Sequence, residues 1–310
     1  MFKRMLSAFG VGGPSVDTVL DPPHATPGGT ISGEVRIQGG STDARIDRIV
    51  LSLVTRVEVE QGDHEARGTA EFFRLPVAEN VLVAEGRPVT VPFQLPVPWE
   101  TPITAVGGNP LPGMTVGVRT DLDISGAPDK GDLDPVQVAP IPAQDSVLDA
   151  FGQLGFQFRS ADVEAGRIQG VHQEIGFFQE LEFFPPGRYA GRINQVELTF
   201  VTGPHDLVVV LEADKRGGLF RAGGDAFGRF HVSHQEALTA DWASWIDRWL
   251  AQVAERGGHP GHAMGHEVHG HHGHRRGPGM GGMIAGAAAG VVGGMVVGEM
   301  LEDAFEDGGE

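Results

Sequence analysis

The sequence has no cysteine. A disulfide framework, a thiol nucleophile and a cysteine-ligated zinc are thereby excluded. Lysine is scarce: Lys3, Lys130 and Lys215 stand against 20 arginines, a bias that reads as genome composition rather than function. Positive charge is not in excess either. With 41 acidic and 23 basic residues the formal net charge is −18. Nucleic acid and anionic membrane are therefore not the default partners, because phosphates reward clusters of Lys and Arg. Catalytic signatures are missing too. The chain has no G-x-S-x-G, no P-loop and no Rossmann glycines followed by an acidic residue, so neither enzymatic activity nor a cofactor is expected. Met1 to Phe9 places Phe2, Met5, Leu6 and Phe9 at helical spacing, but the apolar run is too short for a secretory signal. A cytoplasmic address follows as the expectation.

What is present is two-residue rhythm. Between Pro27-Gly28-Gly29 and Gly39-Gly40, residues Ile31, Gly33, Val35 and Ile37 alternate with Ser32, Glu34, Arg36 and Gln38. Alternation of this kind builds a strand with one buried and one wet face. Further strands are expected at 16–20, 46–60, 70–77, 89–95, 115–124 and 136–138. After a short helix over 146–154, more follow at 156–160, 168–182, 192–201, 207–213 and 227–232. Pro92, Pro96 and Pro98 interleave with the apolar positions of the 89–95 strand, so that strand is expected either at an edge or to end early, since proline cannot donate to a ladder. Turn punctuation roughly every dozen residues makes the fold class all-β, of β-sandwich type.

The run Pro27-Gly28-Gly29, Ile31, Gly33, Val35, Gly39-Gly40, the later Phe93-Gln94-Leu95-Pro96-Val97-Pro98-Trp99-Glu100-Thr101-Pro102 and the opening Met1-Phe2-Lys3-Arg4 resemble the bacterial sporulation-control proteins. Asp214-Lys215-Arg216-Gly217-Gly218 is similar to another segment of that family. The resemblance covers roughly residues 1 to 256. It implies two tandem arrestin-like β-sandwiches, at 1–139 and 140–237, and a non-enzymatic regulator of sporulation or cell development that works through protein–protein contacts.

Several motifs carry competing readings. Asp121, Asp123, Asp129, Asp132 and Asp134 miss the EF-hand spacing and read first as a solvated interdomain turn. Phe177-Phe178 and Phe183-Phe184 read as core and rim. His231 and His234 are expected on opposite faces of a strand. In 238–256, with Thr239 as N-cap, Trp242, Trp245, Ile246, Trp249, Leu250 and Val253 fall on one helical face. That face either packs on the body or offers Trp242, Trp245 and Trp249 to a partner.

The tail, 257–310, follows other rules. Seven of the 13 histidines fall within residues 259–274. His262, His266, His269, His271, His272 and His274 are candidate ligands for loose metal capture, in a glycine-rich linker (257–278) that prevents a preformed geometry. The alternative is a flexible linker that gains charge below about pH 6.5. Gly282, Gly286, Gly290, Gly294 and Gly298 recur every fourth residue within 279–301. Read as a helix, this ladder suits self-association or membrane contact through small-residue packing. Read against the cost of about 1 kcal/mol per helical glycine in water, it is a tail that is disordered or docked on the body. Residues 302–310 are an acidic end. A membrane-associated adaptor or oligomer assembled through 279–301, and metal binding through the histidines, are the alternatives to the regulator reading.

Overall fold

A computed structural model describes residues 12–61, 64–126, 128–215, 226–256 and 295–296. Its strands are β1 (Ser15–Leu20), β2 (His24–Ala25), β3 (Thr30–Gln38), β4 (Ala44–Gln61), β5 (His64–Val83), β6 (Pro88–Pro96), β7 (Ala105–Val106), β8 (Asn109–Pro110), β9 (Val116–Ile124), β10 (Lys130–Pro135) and β11 (Gln137–Val138). Helix α1 (Pro142–Leu154) leads to β12 (Gln157–Ala165), β13 (Phe177–Phe184), β14 (Ile193–Thr202), β15 (Asp206–Lys215) and β16 (Ala226–Ser233). Helices α2 (His234–Thr239) and α3 (Trp242–Arg256) follow, and β17 (Met295–Val296) comes last. The chain is an all-β sandwich protein with a C-terminal helix.

In the first half a three-stranded sheet, β1-β3-β6, faces β10-β9-β4-β5. The alternation of β3 does what its sequence implies: Ile31, Val35 and Ile37 are buried among Ile49, Leu51, Leu53 and Val118, while Glu34 and Arg36 stay wet. β6 is an edge strand, so Pro92 leaves no ladder position empty. β4 then joins the halves. Its first part pairs with β9, and Glu58 near its end pairs in parallel with Glu164 of β12. One ten-stranded sheet therefore runs through both halves, continuing as β12-β13-β14-β15-β16.

Helices cover the inner face of that second part. α1 starts with Pro142 in its first turn, where a missing N–H costs nothing, and ends at Gly155 with φ of 84°. Phe151 stacks on Phe156 and packs on Phe183. α3 lays Trp242, Ile246, Leu250 and Val253 onto the β15–β16 face. Its N-terminus is capped by Asp241, which accepts the Ser244 N–H at 3.1 Å. Thr239 ends α2 instead, because Ser233 and Glu236 close a capping box that places an N-cap six residues earlier than expected.

Two further expectations change. The acidic stretch is no interdomain turn: residues 116–135 fold back as the β9–β10 hairpin. Its charges are taken up locally, with Asp132 Oδ2 accepting the Thr18 N–H at 2.7 Å and Asp129 Oδ1 accepting the Ile124 N–H at 3.3 Å. Residues 166–176 are also not strand. They form a loop organised by buried Gln173, which accepts from Ile168 N at 2.6 Å and donates to Phe177 O at 3.2 Å.

Candidate interaction surfaces

The segment Trp99-Glu100-Thr101-Pro102-Ile103 is the joint between the halves. Gly28 holds φ at +74°, a left-handed conformation suited to glycine, and a Cβ there would lie 2.5 Å from the Trp99 ring. Trp99 meets His234 on the far side, with ring centroids 5.6 Å apart. The Glu100 carboxylate accepts the backbone N–H groups of Glu174 and Ile175 at 2.8 and 2.9 Å. Burial raises its pKa, and those two hydrogen bonds work against the rise. Gln179 of β13 treats Ile103 as a strand partner, accepting from its N–H at 2.9 Å and donating to its carbonyl at 2.7 Å. The motif that carries the family resemblance is thus a clasp between the halves.

Beside the joint lies a cleft of about 290 Å³ lined by Trp99, Val171, Val208, Arg229 and His231 among others. Arg229 donates to the carbonyls of Gly170 and Gln169 at 3.0 and 2.6 Å. His231 Nε2 lies 2.5 Å from Asp206 Oδ2, and His234 Nε2 lies 3.0 Å from Asp206 O. The two histidines therefore converge on one residue rather than on opposite faces, because the chain turns from β16 into α2 between them. No group of three or more metal-ligating side chains suited to an ion occurs among the described residues.

The outer face of the second half carries the strongest electrostatic feature. Alternation places Asp162 and Glu164 of β12, Glu180 and Glu182 of β13, Glu197 of β14 and Glu212 of β15 on the side away from Ala161, Val163, Leu181, Leu198 and Leu211. Register brings them together: Asp162 opposes Glu180, Glu182 opposes Glu197, and Glu197 opposes Glu212. Glu182 is held by Ser160 at 2.6 Å and Arg159 at 3.1 Å. Glu180 sits at the centre. Burial, then the charges of Glu197, Asp162, Glu164 and Glu212, drive its pKa far above the usual carboxylate range. Beside the carboxylates an apolar patch of Phe178, Val201 and Val210 lies under Ile168 of the loop, and β16 adds Arg229 and His231 to the same face, opposite Val210 and Val208.

A smaller carboxylate group closes the first half. Thr18 and Thr120 hydroxyls meet at 2.6 Å where β1 crosses β9, and beside them Asp134 lies next to Asp132 and Asp17. Burial and those two charges push the Asp134 pKa up to about 7.

The residues singled out from sequence fall as follows. Trp242 is 2% exposed and its Nε1 donates to Ala237 O at 2.8 Å, so it is part of the core. Trp245 stacks on Phe230, Trp249 covers Gly228, and both are half-buried. Phe177, Phe178 and Phe183 are buried and Phe184 is exposed, as core and rim. His262, His266, His269, His271, His272 and His274 lie outside the described residues, as do Gly282, Gly286, Gly290, Gly294 and Gly298 and the N-terminal segment 1–11. Within the glycine ladder, Met295 and Val296 are extended rather than helical, in keeping with valine's preference for strands and glycine's cost in helices. Among the described residues no helix is long and apolar enough to cross a membrane. The acidic face was not visible to sequence reasoning. Its signal is the acidic parity of four strands, which gains meaning only once register is known.

An all-β sandwich whose halves are clasped by a Trp-Glu-Thr-Pro segment defines the class. The model of the SpoOM protein family matches residues 2–217, and the chain belongs to that family. It is 34% identical over 216 residues to the sporulation-control protein spo0M of Bacillus subtilis, covering 69% of this chain and 81% of that one. The crystal structure of Spo0M from Bacillus subtilis superposes with a TM-score of 0.69 at 29% identity, over 78% of this chain and all of the other. The family match ends before α3 and the tail.

Proposed function

We propose that the protein is a non-enzymatic regulator in sporulation or cell development that acts by holding protein partners on its surface. The acidic outer face of β12–β15 carries this reading. A crowd of half-buried carboxylates on a rigid sheet is suited to a basic segment of a partner, whose cations would relieve the mutual repulsion around Glu180. Membership of a sporulation-control family supplies the biological context. The arrestin-like comparison fits the paired, clasped halves, in which the joint fixes how two surfaces are presented together. The test is cross-linking and co-precipitation from the native host. The full chain would be compared with the D162N/E164Q/E197Q/E212Q variant and with D43N/D47N/E79Q/E85Q, an equal charge change on the first half. Partners lost only with the first variant support the reading. An identical set of partners from all three proteins overturns it.

A further inference from the structure

β5 ends the first half's large sheet on one side. Its inner edge pairs with β4 along its length, from Ala44 opposite Val83 to Gln61 opposite His64. Its outer edge meets one strand among the described residues. That strand is β17, antiparallel, with Met295 opposite Ala70 and Val296 opposite Thr69. A strand edge is a row of backbone N–H and C=O groups and a template for any extended chain that reaches it.

The local geometry suits such an approach. In an antiparallel ladder a residue's N–H and C=O point to the same side, and successive residues alternate. Thr69 and Ala70 oppose Arg56 and Thr55 of β4, so one of the two turns its groups to β4 and the other to β17. Gly68, Thr69 and Ala70 are small and let a second backbone come close. On the other side, residues 291–298 hold no charge, and Val296 and Val297 are β-branched. Residues 257–294 allow about 125 Å of reach at roughly 3.3 Å per residue, so chain length does not limit the contact.

We propose that the outer edge of β5 at Thr69–Ala70 is a strand-acceptor site, and that its occupant is this chain's own tail around Met295–Val296. Backbone pairing supplies the affinity. The tail covers the edge and so keeps it from pairing with a second copy. The site lies within the family's matched span, whereas the occupant lies outside it, so the contact belongs to this chain's extension.

Hydrogen exchange by mass spectrometry on the full chain tests the proposal. Met295→Pro with Val296→Pro removes the tail's donors while leaving the body's sequence intact. Within residues 66–72 the one amide turned toward β17, that of Thr69 or Ala70, should then exchange about tenfold faster than in the wild type, with the rest of the body unchanged. A synthetic peptide of residues 289–301 should restore the protection in trans. Wild-type protection in the double-proline variant overturns the proposal. Protection in that variant that fades on dilution assigns the edge to a second copy and overturns the tail as occupant.

Discussion

Gln179→Ala is the sharpest test of the clasp. The Gln179 amide makes two hydrogen bonds to the Ile103 backbone, at 2.9 and 2.7 Å, in a part-buried setting. Alanine fills neither role and leaves an N–H and a C=O behind. An orphaned buried polar group costs about 1–3 kcal/mol, and water can partly reach this one, so the pair is worth roughly 2–3 kcal/mol. In a body of this size each kcal/mol moves Tm by about 2–4 °C, which predicts a fall of roughly 4–12 °C. Calorimetry on wild type and variant reads it directly. Gln179→Glu separates hydrogen bonding from volume. A carboxylate still accepts from Ile103 N–H but cannot donate to the carbonyl, so at pH 8 the variant should melt at or below the alanine variant. Acidification to pH 4 protonates the new side chain, which can then donate, and the gap to wild type should narrow. A Tm for Gln179→Ala within about 1 °C of wild type, or a pH-independent gap for Gln179→Glu, would refute the reasoning.

Three other outcomes follow from contacts elsewhere in the body. Asp134 and Glu180 have folded pKa values raised above their unfolded ones, so their contribution to stability is fully present below about pH 4 and is lost as pH rises; for Asp134 the loss is complete above about 7. Asp134→Asn should therefore gain stability relative to wild type between pH 5 and pH 8 in urea titrations; parallel curves across that range would count against the carboxylate pair. Gly28→Ala should destabilise by more than about 1 kcal/mol and shift the tryptophan fluorescence, since it strains a φ of +74° and displaces Trp99; an unchanged emission spectrum would contradict the packing. Trp242→Ala should cost roughly 3–5 kcal/mol, and Trp245→Ala clearly less, because only Trp242 is fully buried; equal losses would argue against the helix orientation.

Much of the fold was legible in the chain because burial is written as periodicity. β3 runs Thr30–Gln38 as its alternation implies, Pro92 marks an edge strand, and the apolar face of α3 is the one that packs. The departures share a cause, which is that partners distant in sequence decide them. Residues 129–135 look like a solvated turn until Thr18 of β1 is seen donating to Asp132. Residues 168–176 carry apolar side chains but lack a ladder partner, and Gln173 holds them as a loop. His231 and His234 meet at Asp206 because the strand ends at Ser233, where a capping box begins a helix. The acidic face depends on register across four strands, and a single sequence does not carry register.

The most direct measurement is complementation in the native host. The chromosomal gene would be replaced by one encoding D162N/E164Q/E197Q/E212Q, at matched abundance and with a melting temperature no lower than wild type. If the acidic face of β12–β15 is where partners are held, these cells should match a deletion strain made alongside them, with D43N/D47N/E79Q/E85Q matching the wild type and differing from both. Normal timing and spore yield with the neutralised face would contradict the account.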